Sequence, residues 1–266
     1  MTLTPPQSGK PSTPSAAHRR AAWLAAMALA ALGLSGCQGI AMNSAQLRLV
    51  DASPDAGVID SYQNSSALAY NLGFGTMTSY IPMSPGVYNL AAEKSGTRQV
   101  LASSTETLAA NKQYTEIIGA GVANMQQTLF LDESTPAATG RIAVRVINAT
   151  THAGAVDVYL VAMASAVSKS LSASPLVVNL GVGANSGYID LPEGTYAIDV
   201  VPTGTVLASS TVTLLSGAQV AYVSGAVRTV VLIDQQAAGA QQVSSVPHAA
   251  LTPAVQAIVA ADADAQ

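Results

Sequence analysis

Apolar and polar positions alternate with a period of two along much of the chain, and this period is typical of β-strands. Residues 141–147 and 194–201 alternate throughout, and residues 205–214 alternate in part. Turn-forming pairs such as Pro85-Gly86 and Glu193-Gly194 separate these segments. Turns about 8–12 residues apart are the spacing of sandwiches of short strands. The pattern therefore predicts an all-β chain with seven or eight strands in each domain.

An internal repeat divides the chain into two domains. Residues 48–62 align without a gap on residues 145–159, and shorter motifs at 71–75, 85–88 and 101–105 recur at 179–183, 193–196 and 207–211. The second copy is longer than the first, because extra residues stand between Tyr159 and Asn179 that have no equivalent between Tyr62 and Asn71. We expect a first domain at 45–132, a linker at 133–140 and a second domain at 141–234.

The C-terminal segment, residues 235–266, is rich in Ala and Gln. Such low complexity is typical of segments that do not join a packed core. We predict a mobile tail, with a short helix after Thr252-Pro253 as the alternative.

A different pattern precedes the repeats. Residues 21–34 form an apolar run behind the basic pair Arg19-Arg20. A transmembrane helix needs about 20 apolar residues, whereas this shorter run suits the core of a signal peptide. The run ends in Leu34, Ser35, Gly36 and Cys37, and Cys37 is the single cysteine of the chain.

These four residues resemble the lipobox of bacterial lipoproteins. The resemblance implies that residues 1–36 are a signal peptide with a helical core, that cleavage occurs before Cys37, and that a lipid is attached to the Cys37 sulfur. Residues 37–44 would form a short tether. The alternative is an ordinary signal peptide followed by a chance cysteine. Gln38 follows the cysteine, and the absence of Asp at this position implies the outer membrane in Gram-negative lipoproteins.

Charge and cysteine content narrow the classes of partner. Removing residues 1–36 takes away three of the 11 basic residues and none of the 15 acidic ones, which leaves a net charge of −7. An acidic chain without a basic patch is not expected to bind nucleic acid. One cysteine excludes an intramolecular disulfide and a multi-cysteine zinc site.

The repeated motifs resemble a bacterial domain of unknown function, DUF4397. The similarity is carried by residues 48–62, with their Ala-Ser-Pro-Asp-Ala core, and by the motifs at 71–75, 85–88 and 101–105. It extends over both copies, although Thr150, Thr151 and His152 replace Ser-Pro-Asp in the second. The resemblance implies two tandem Ig-like antiparallel β-sandwich domains in a cell-envelope setting, and it implies no activity.

Charged residues recur at fixed spacing in both copies. Arg48 and Asp60 have the same separation along the chain as Arg145 and Asp157. If the flanking segments form a hairpin, each Arg lies opposite its Asp across the ladder. We predict a cross-strand ion pair in each copy, and the alternative is an Arg–Asp–Tyr stripe that grips a ligand.

The tyrosines also recur. Tyr88 and Tyr196 stand in Gly-x-Tyr motifs at the heads of strands and resemble tyrosine corners, in which the hydroxyl bonds to nearby backbone. The remaining repeated pairs are Tyr62 with Tyr159, Tyr80 with Tyr188 and, by an approximate match, Tyr114 with Tyr222. Recurrence within strands favours an architectural role over a carbohydrate-stacking surface.

Candidate binding and catalytic residues are few. Asp51, Asp55 and Asp60, with Asp157 in the second copy, could supply oxygen ligands to calcium or bind a small ligand, but Asp51 and Asp55 are equally good turn formers. His152 is the only histidine of the two domains and no Gly-x-Ser-x-Gly motif accompanies it.

The sequence therefore predicts a non-catalytic lipid-anchored envelope protein without cofactor or bound metal. Its sandwich domains would bind another envelope protein or a glycan. A calcium-binding or small-ligand module that uses the 51–60 loop is the alternative, followed by a hydrolase.

Overall fold

A computed structural model of the chain describes residues 43–162, 174–208, 211–235 and 255–265. These residues form 17 β-strands and one short 3-10 helix at Val122–Asn124. Among the described residues, no helix has the length and apolar character needed to cross a membrane. The all-β fold is as predicted.

The first sandwich contains eight strands in two sheets. Its inner sheet has the order β4-β1-β7-β8 and its outer sheet the order β3-β2-β5-β6. The strands are β1 (Ala45–Asp51), β2 (Ile59–Gln63), β3 (Ser66–Leu72), β4 (Ile81–Met83), β5 (Gly86–Lys94), β6 (Val100–Leu108), β7 (Gln113–Gly119) and β8 (Gln126–Asp132). Leu47, Ile59, Leu90 and Ile118 lie fully buried between the two sheets.

The second sandwich repeats this arrangement. Its inner sheet has the order β12-β9-β16-β17, and its outer sheet has the order β11-β10-β13-β14 with β15 also paired to β13. The strands are β9 (Arg141–Asn148), β10 (Val156–Ala162), β11 (Val177–Leu180), β12 (Asn185–Pro192), β13 (Gly194–Pro202), β14 (Leu215–Ser216), β15 (Val220–Tyr222), β16 (Val227–Asp234) and β17 (Val255–Ala263). The core between these sheets includes Val144, Val158, Val200 and Val230.

One strand pair in each sandwich is parallel. β1 pairs with β7 in parallel and β9 pairs with β16 in the same way, whereas every other named strand pair is antiparallel. The two pairings share a register, because Arg48 lies opposite Thr115 and Arg145 lies opposite Thr229. This register makes β7 the equivalent of β16, and hence β8 the equivalent of β17.

The two inner sheets pack face to face. Strands β1 and β7 of the first sandwich contribute Val50 and Ile117, and strands β9 and β16 of the second contribute Ile147, Val231 and Ile233 to one apolar cluster. In this cluster, side chains that point away from their own sandwich are therefore buried against the other sandwich. The described chain stacks four sheets, with the two inner sheets in the middle.

The prediction of a mobile C-terminal tail is wrong for residues 255–263, and so is the alternative of a helix there. These residues form β17, which pairs along its whole length with β16. Its alternation was hidden by small side chains. Ala257 is half-buried against the second core, and Ala260 is buried on the opposite face of the strand, where larger apolar residues would have shown the pattern. The second sandwich therefore extends beyond residue 234.

The N-terminal predictions fall outside the described residues. The signal peptide at 1–36, Cys37 and most of the tether precede residue 43, and the first strand begins at Ala45. The extra residues of the second copy lie between β10 and β11, of which residues 163–173 are also outside the described part.

Candidate functional site

Two arginines meet at the interface between the sandwiches. Arg48 on β1 and Arg145 on β9 each point away from their own sandwich, and each residue is only 2% exposed. A buried guanidinium needs anionic and hydrogen-bonding partners, because the desolvation of an unpaired charge costs several kcal/mol. Both arginines find their partners at the edge of the opposite sandwich.

Arg48 pairs with the last strand of the second sandwich. Its Nη2 group forms an ion pair with Asp262 on β17, and its Nη1 donates to the carbonyl oxygen of Ala261 at 3.2 Å. Its Nε donates to Thr115 Oγ1 at 2.8 Å within its own sheet. Arg48 Nη2 also lies 3.6 Å from Asp132 Oδ2, so the two halves of the cluster are in contact.

Arg145 makes the same contacts in the opposite direction. Its Nη2 group pairs with Asp132 on β8, its Nη1 donates to the Leu131 carbonyl at 2.8 Å, and its Nε donates to Thr229 Oγ1 at 3.1 Å. The two sandwiches are thus related by an approximate twofold axis. We call Arg48, Arg145, Asp132 and Asp262 the interdomain ion cluster.

Hydroxyl groups complete the coordination of both carboxylates. Thr115 and Tyr80 donate to Asp132 Oδ2 at 2.6 and 2.8 Å. Thr229 and Tyr188 donate to Asp262 Oδ2 at the same two distances. Each buried carboxylate therefore accepts three charged or hydroxyl donors, a level of pairing that offsets its loss of hydration.

The two tyrosines also cover the arginines. The Arg48 guanidinium lies 4.8 Å from the centroid of the Tyr80 ring, and that of Arg145 lies 4.7 Å from the Tyr188 ring. Burial, and after it the charge of Asp132, raises the pKa of Tyr80 despite the opposing effect of Arg48. Burial also raises the pKa of Tyr188, against the lowering effect of Arg145. Both hydroxyls therefore remain protonated donors at neutral pH.

The predicted cross-strand pairs Arg48–Asp60 and Arg145–Asp157 are wrong. Strand β1 lies in the inner sheet and β2 in the outer sheet, so the hairpin that would bring Arg48 and Asp60 together does not form. The second copy separates β9 from β10 in the same way. The Arg–Asp spacing is the same in both copies because the two sandwiches share one sheet order. Within it, each Arg and each Asp has a separate structural role.

Each aspartate instead binds the backbone of the adjacent outer-sheet strand, at a point where the pairing register shifts. Asp60 accepts a hydrogen bond from the backbone N–H of Asn71 at 2.8 Å, and Asp157 accepts one from Asn179 at 2.8 Å. Both asparagines have a φ of 55°, a left-handed conformation that Asn tolerates better than most residues. Asp157 also accepts from Thr203 and from the backbone of Gly204. Burial opposes these bonds, but together they lower the pKa of Asp157.

The remaining acidic candidates tie two loops together. Asp55 accepts a hydrogen bond from the backbone of Val122 at 2.8 Å, and Asp51 accepts one from Ser53 at 2.9 Å. Burial raises the pKa of Asp51 to about 7, although the Ser53 hydrogen bond lowers it. Within the described part of the chain, no group of three or more His, Cys, Asp or Glu side chains is placed to hold a metal.

Asn148 replaces Asp51 in the second copy and is better paired. Its Nδ2 donates to the carbonyls of Gly154 and Leu180, both at 2.9 Å. Asp51 Oδ2 is buried and has no hydrogen-bond partner among the described residues. The amide therefore supplies a donor that the ionised carboxylate lacks.

Tyr88 and Tyr196 form the predicted tyrosine-corner contacts. The Tyr88 hydroxyl donates to the Ser84 carbonyl at 2.7 Å, and the Tyr196 hydroxyl donates to Pro192 at 2.9 Å. The approximate match of Tyr114 with Tyr222 is wrong. Tyr222 lies opposite Gly194 on β13, as Leu108 lies opposite Gly86 on β5.

His152 sits on an exposed loop beside Thr151 and Asp234. The Thr151 hydroxyl lies 2.7 Å from His152 Nδ1, and Asp234 Oδ2 lies 3.3 Å from the same nitrogen. A nucleophile–histidine–carboxylate relay needs the two partners on different ring nitrogens. The observed arrangement lacks this geometry.

Sequence patterns did not identify the two aspartates of the interdomain ion cluster, Asp132 and Asp262. A further repeated block carried the signal, since residues 126–132 and 256–262 both begin with Gln and end with Asp. The two segments of this block are farther apart along the chain than those of any other repeated block. The low complexity around β17 concealed this similarity.

A cleft opens at one side of the interdomain interface. It has a volume of about 100 Å³ and is lined by residues of β7, β8, β9 and the turn before β12, including Ile117, Phe130, Ile147 and Val182. Apolar side chains form most of its walls, and the buried residues Asn148 and Thr150 also line it.

Comparison with known protein families gives one match. The family described as Domain of unknown function (DUF4397) matches residues 45–159, which cover the first sandwich, the linker, β9 and the first part of β10. No curated protein matches the chain. The chain thus carries a DUF4397 match at residues 45–159.

Proposed function

We propose that this chain is a lipid-anchored, non-catalytic protein of the bacterial cell envelope that presents two joined β-sandwiches to a partner. The observation that carries the proposal is the sequence Leu34-Ser35-Gly36-Cys37 at the end of an apolar run of signal-peptide length. A lipid on Cys37 would anchor the protein, since each buried methylene contributes about 0.8 kcal/mol and more than one chain makes the attachment stable.

The proposed anchor lies close to the first strand. Cys37 precedes Ala45 by eight residues, and a fully extended chain of that length reaches about 28 Å. The first sandwich would therefore stay near the bilayer surface. Gln38 in place of Asp supports the outer membrane as the site of attachment.

We also propose that residues 141–263 form a second DUF4397-like domain. The support is the repeated sheet order, the shared register of the parallel strands and the matching contacts of Arg48 and Arg145. In this proposal the insertion between residues 235 and 254 separates the last strand of the domain from the rest.

Partner binding is assigned to the outer sheets. The inner sheets pack against each other, so their faces are not free for another protein or a glycan. The outer sheets expose residues such as Val87 on β5, at 65%, and Val220 on β15, at 42%. Another envelope protein or a glycan would contact these sheets or their loops.

The test of the anchor is metabolic labelling with palmitate in a Gram-negative host. The chain should incorporate label and sediment with membranes, and Cys37→Ser should do neither while remaining exported. Label that persists in Cys37→Ser would refute the attachment site. A chain that incorporates none would refute the lipid anchor itself.

The test of partner binding is photocrosslinking in intact cells. A photoreactive residue at Val87 or Val220 should capture a discrete partner, whereas the same residue at the buried position Val50 serves as the control that captures none. If neither outer-sheet position captures a partner, the binding role assigned to these sheets is wrong.

A further inference from the structure

The interdomain cleft has a filled counterpart on the other side of the twofold axis. The repeat alignment and the strand registers make Val182 equivalent to Phe74, Gly119 equivalent to Ile233, and Thr128 equivalent to Ile258. Phe74 and Ile258 pack on the apolar cluster between the inner sheets, and Ile233 belongs to it and is fully buried. Each of these large apolar side chains is replaced by a smaller one at the cleft.

The glycines at the two positions show the difference in packing directly. A Cβ atom built on Gly75, which follows Phe74, would lie 3.3 Å from both Ile233 Cδ1 and Gln256 Nε2. A Cβ atom built on the equivalent Gly183 would meet nothing within 4 Å. Val182 is 53% exposed in consequence. The approximate symmetry is therefore broken at this place: three side chains are smaller at the cleft, whereas Phe130 stands where the filled side has Ala260 and supplies an aromatic wall.

The missing volume defines what would fill the cleft. On the filled side the largest contribution is the aromatic ring of Phe74, which packs against the cluster that also includes Ile117 and Ile147. The open cleft is lined by Ile117, Ile147 and the ring of Phe130. It also contains the hydroxyl of the half-buried Thr128, whereas the equivalent residue on the filled side, Ile258, has no polar side-chain atom. A cavity of roughly 150 Å³ with apolar walls holds a benzene molecule. The open cleft, of about 100 Å³, can enclose most of one ring.

We propose that this cleft binds a small molecule with a single aromatic ring that carries a hydroxyl group, in the position that Phe74 occupies across the axis. The ring contacts Phe130 and Ile147, and the hydroxyl bonds to the hydroxyl of Thr128. The proposal is independent of the lipid anchor and of the partner assigned to the outer sheets. A ligand of this size gains little total binding energy, so the dissociation constant is on the order of millimolar.

The binding test uses the full chain, purified from membranes, with labelled isoleucine methyl groups and phenol as the probe. Phenol should shift the methyl resonances of Ile117 and Ile147 to saturation and leave that of Ile59, in the first core, unchanged. Toluene should bind more weakly than phenol, because it cannot bond to Thr128. The absence of a saturable shift up to the solubility of phenol would overturn the proposal.

Filling the cleft provides the decisive variant. Val182→Phe reproduces the residue of the filled side and should abolish the phenol shifts, while the midpoint of thermal unfolding stays the same or rises. The matched control is Val178→Phe, which adds the same ring at a 62% exposed position of β11 outside the cleft and should leave phenol binding unchanged. Unchanged phenol affinity in Val182→Phe would overturn the assignment.

Thr128→Ile provides a second test of binding in the cleft if Val182→Phe does not fold. It fills the cleft from the opposite wall with the residue found at position 258, and it should weaken phenol binding at least tenfold. A Thr128→Ile chain that binds phenol as the wild type does would contradict the proposal. A peptide with an aromatic side chain that binds while phenol does not would likewise overturn the small-molecule assignment.

Discussion

Removing Asp262 should destabilise the protein by about 3–5 kcal/mol, the usual cost of breaking a buried ion pair from one side. Asp262 accepts from Arg48, Thr229 and Tyr188, and its side chain is completely buried. In Asp262→Ala, the buried Arg48 loses its ion-pair partner and keeps one carboxylate contact, the longer one with Asp132 at 3.6 Å. The expected loss arises mainly from this uncompensated charge.

The loss should be visible in thermal and urea unfolding followed by circular dichroism. For a unit of about 200 residues, each kcal/mol lowers the midpoint of thermal unfolding by about 2–4 °C. The predicted decrease is therefore roughly 6–20 °C. Asp132→Ala should produce a similar decrease, since Asp132 holds the equivalent position across the twofold axis.

Asp264→Ala is the matched control. Asp264 pairs with Arg228 at 2.5 Å only two residues from Asp262, but its side chain is 52% exposed. An exposed ion pair contributes about 0–1 kcal/mol. Equal effects of Asp262→Ala and Asp264→Ala would refute the argument that burial makes the interdomain ion cluster important. The double variant Arg48→Met/Asp262→Leu should recover most of the lost stability, because it removes both charges together.

Three further predictions concern buried acidic groups. Asp51→Asn should stabilise the protein by on the order of 2 kcal/mol above pH 7. The pKa of Asp51 is raised to about 7 in the folded protein, so the wild type loses stability as pH rises from about 4 to 7. Urea titrations of both proteins at pH 4.5 and 8 measure the difference. Burial, and after it the charge of Glu106, raises the pKa of Glu116 to about 8. The free energy of unfolding of Glu116→Gln relative to the wild type should therefore increase by on the order of 2 kcal/mol between pH 5 and 9. A stability difference between the two proteins that does not change with pH would contradict this prediction. Asp157→Ala should destabilise the protein by about 1–3 kcal/mol, and by more than Asp60→Ala, since Asp157 accepts three hydrogen bonds. Because the pKa of Asp157 is lowered, its contribution to the stability of the wild type should be lost as pH falls below about 4.

Local sequence signals were sufficient for the strands and for the turns that they frame. Alternation predicted an all-β chain, and the Gly-x-Tyr motifs identified the backbone contacts of Tyr88 and Tyr196. These features depend on residues that are close in the chain. The internal repeat rests on the same kind of signal, because each block compares one short segment with another.

The contacts of Arg48 could not be read from spacing. Its ion-pair partner Asp262 is 214 residues away, whereas the short and repeated interval to Asp60 suggested a partner that lies in another sheet. The two sandwiches contact each other through their inner sheets, so only tertiary packing brings Arg48 and Asp262 together. The strand that carries Asp262 was missed because Ala-rich alternation resembles low complexity.

The cleft also arises from tertiary packing, which the comparison of two short sequence segments does not show. Val182 in place of Phe74 looks like a conservative change within a repeated motif. Its consequence appears only when Gly119 and Thr128, from distant strands, are found at the same place on the interface.

Mass spectrometry of the N-terminal peptide from membrane-purified protein tests the proposed function most directly. The account predicts a mature chain that begins at Cys37, carries a diacylglycerol on the cysteine sulfur and an acyl group on the new amino terminus, and lacks Trp23. A mature chain that begins at any other residue, or one that has a free Cys37 thiol, would contradict it.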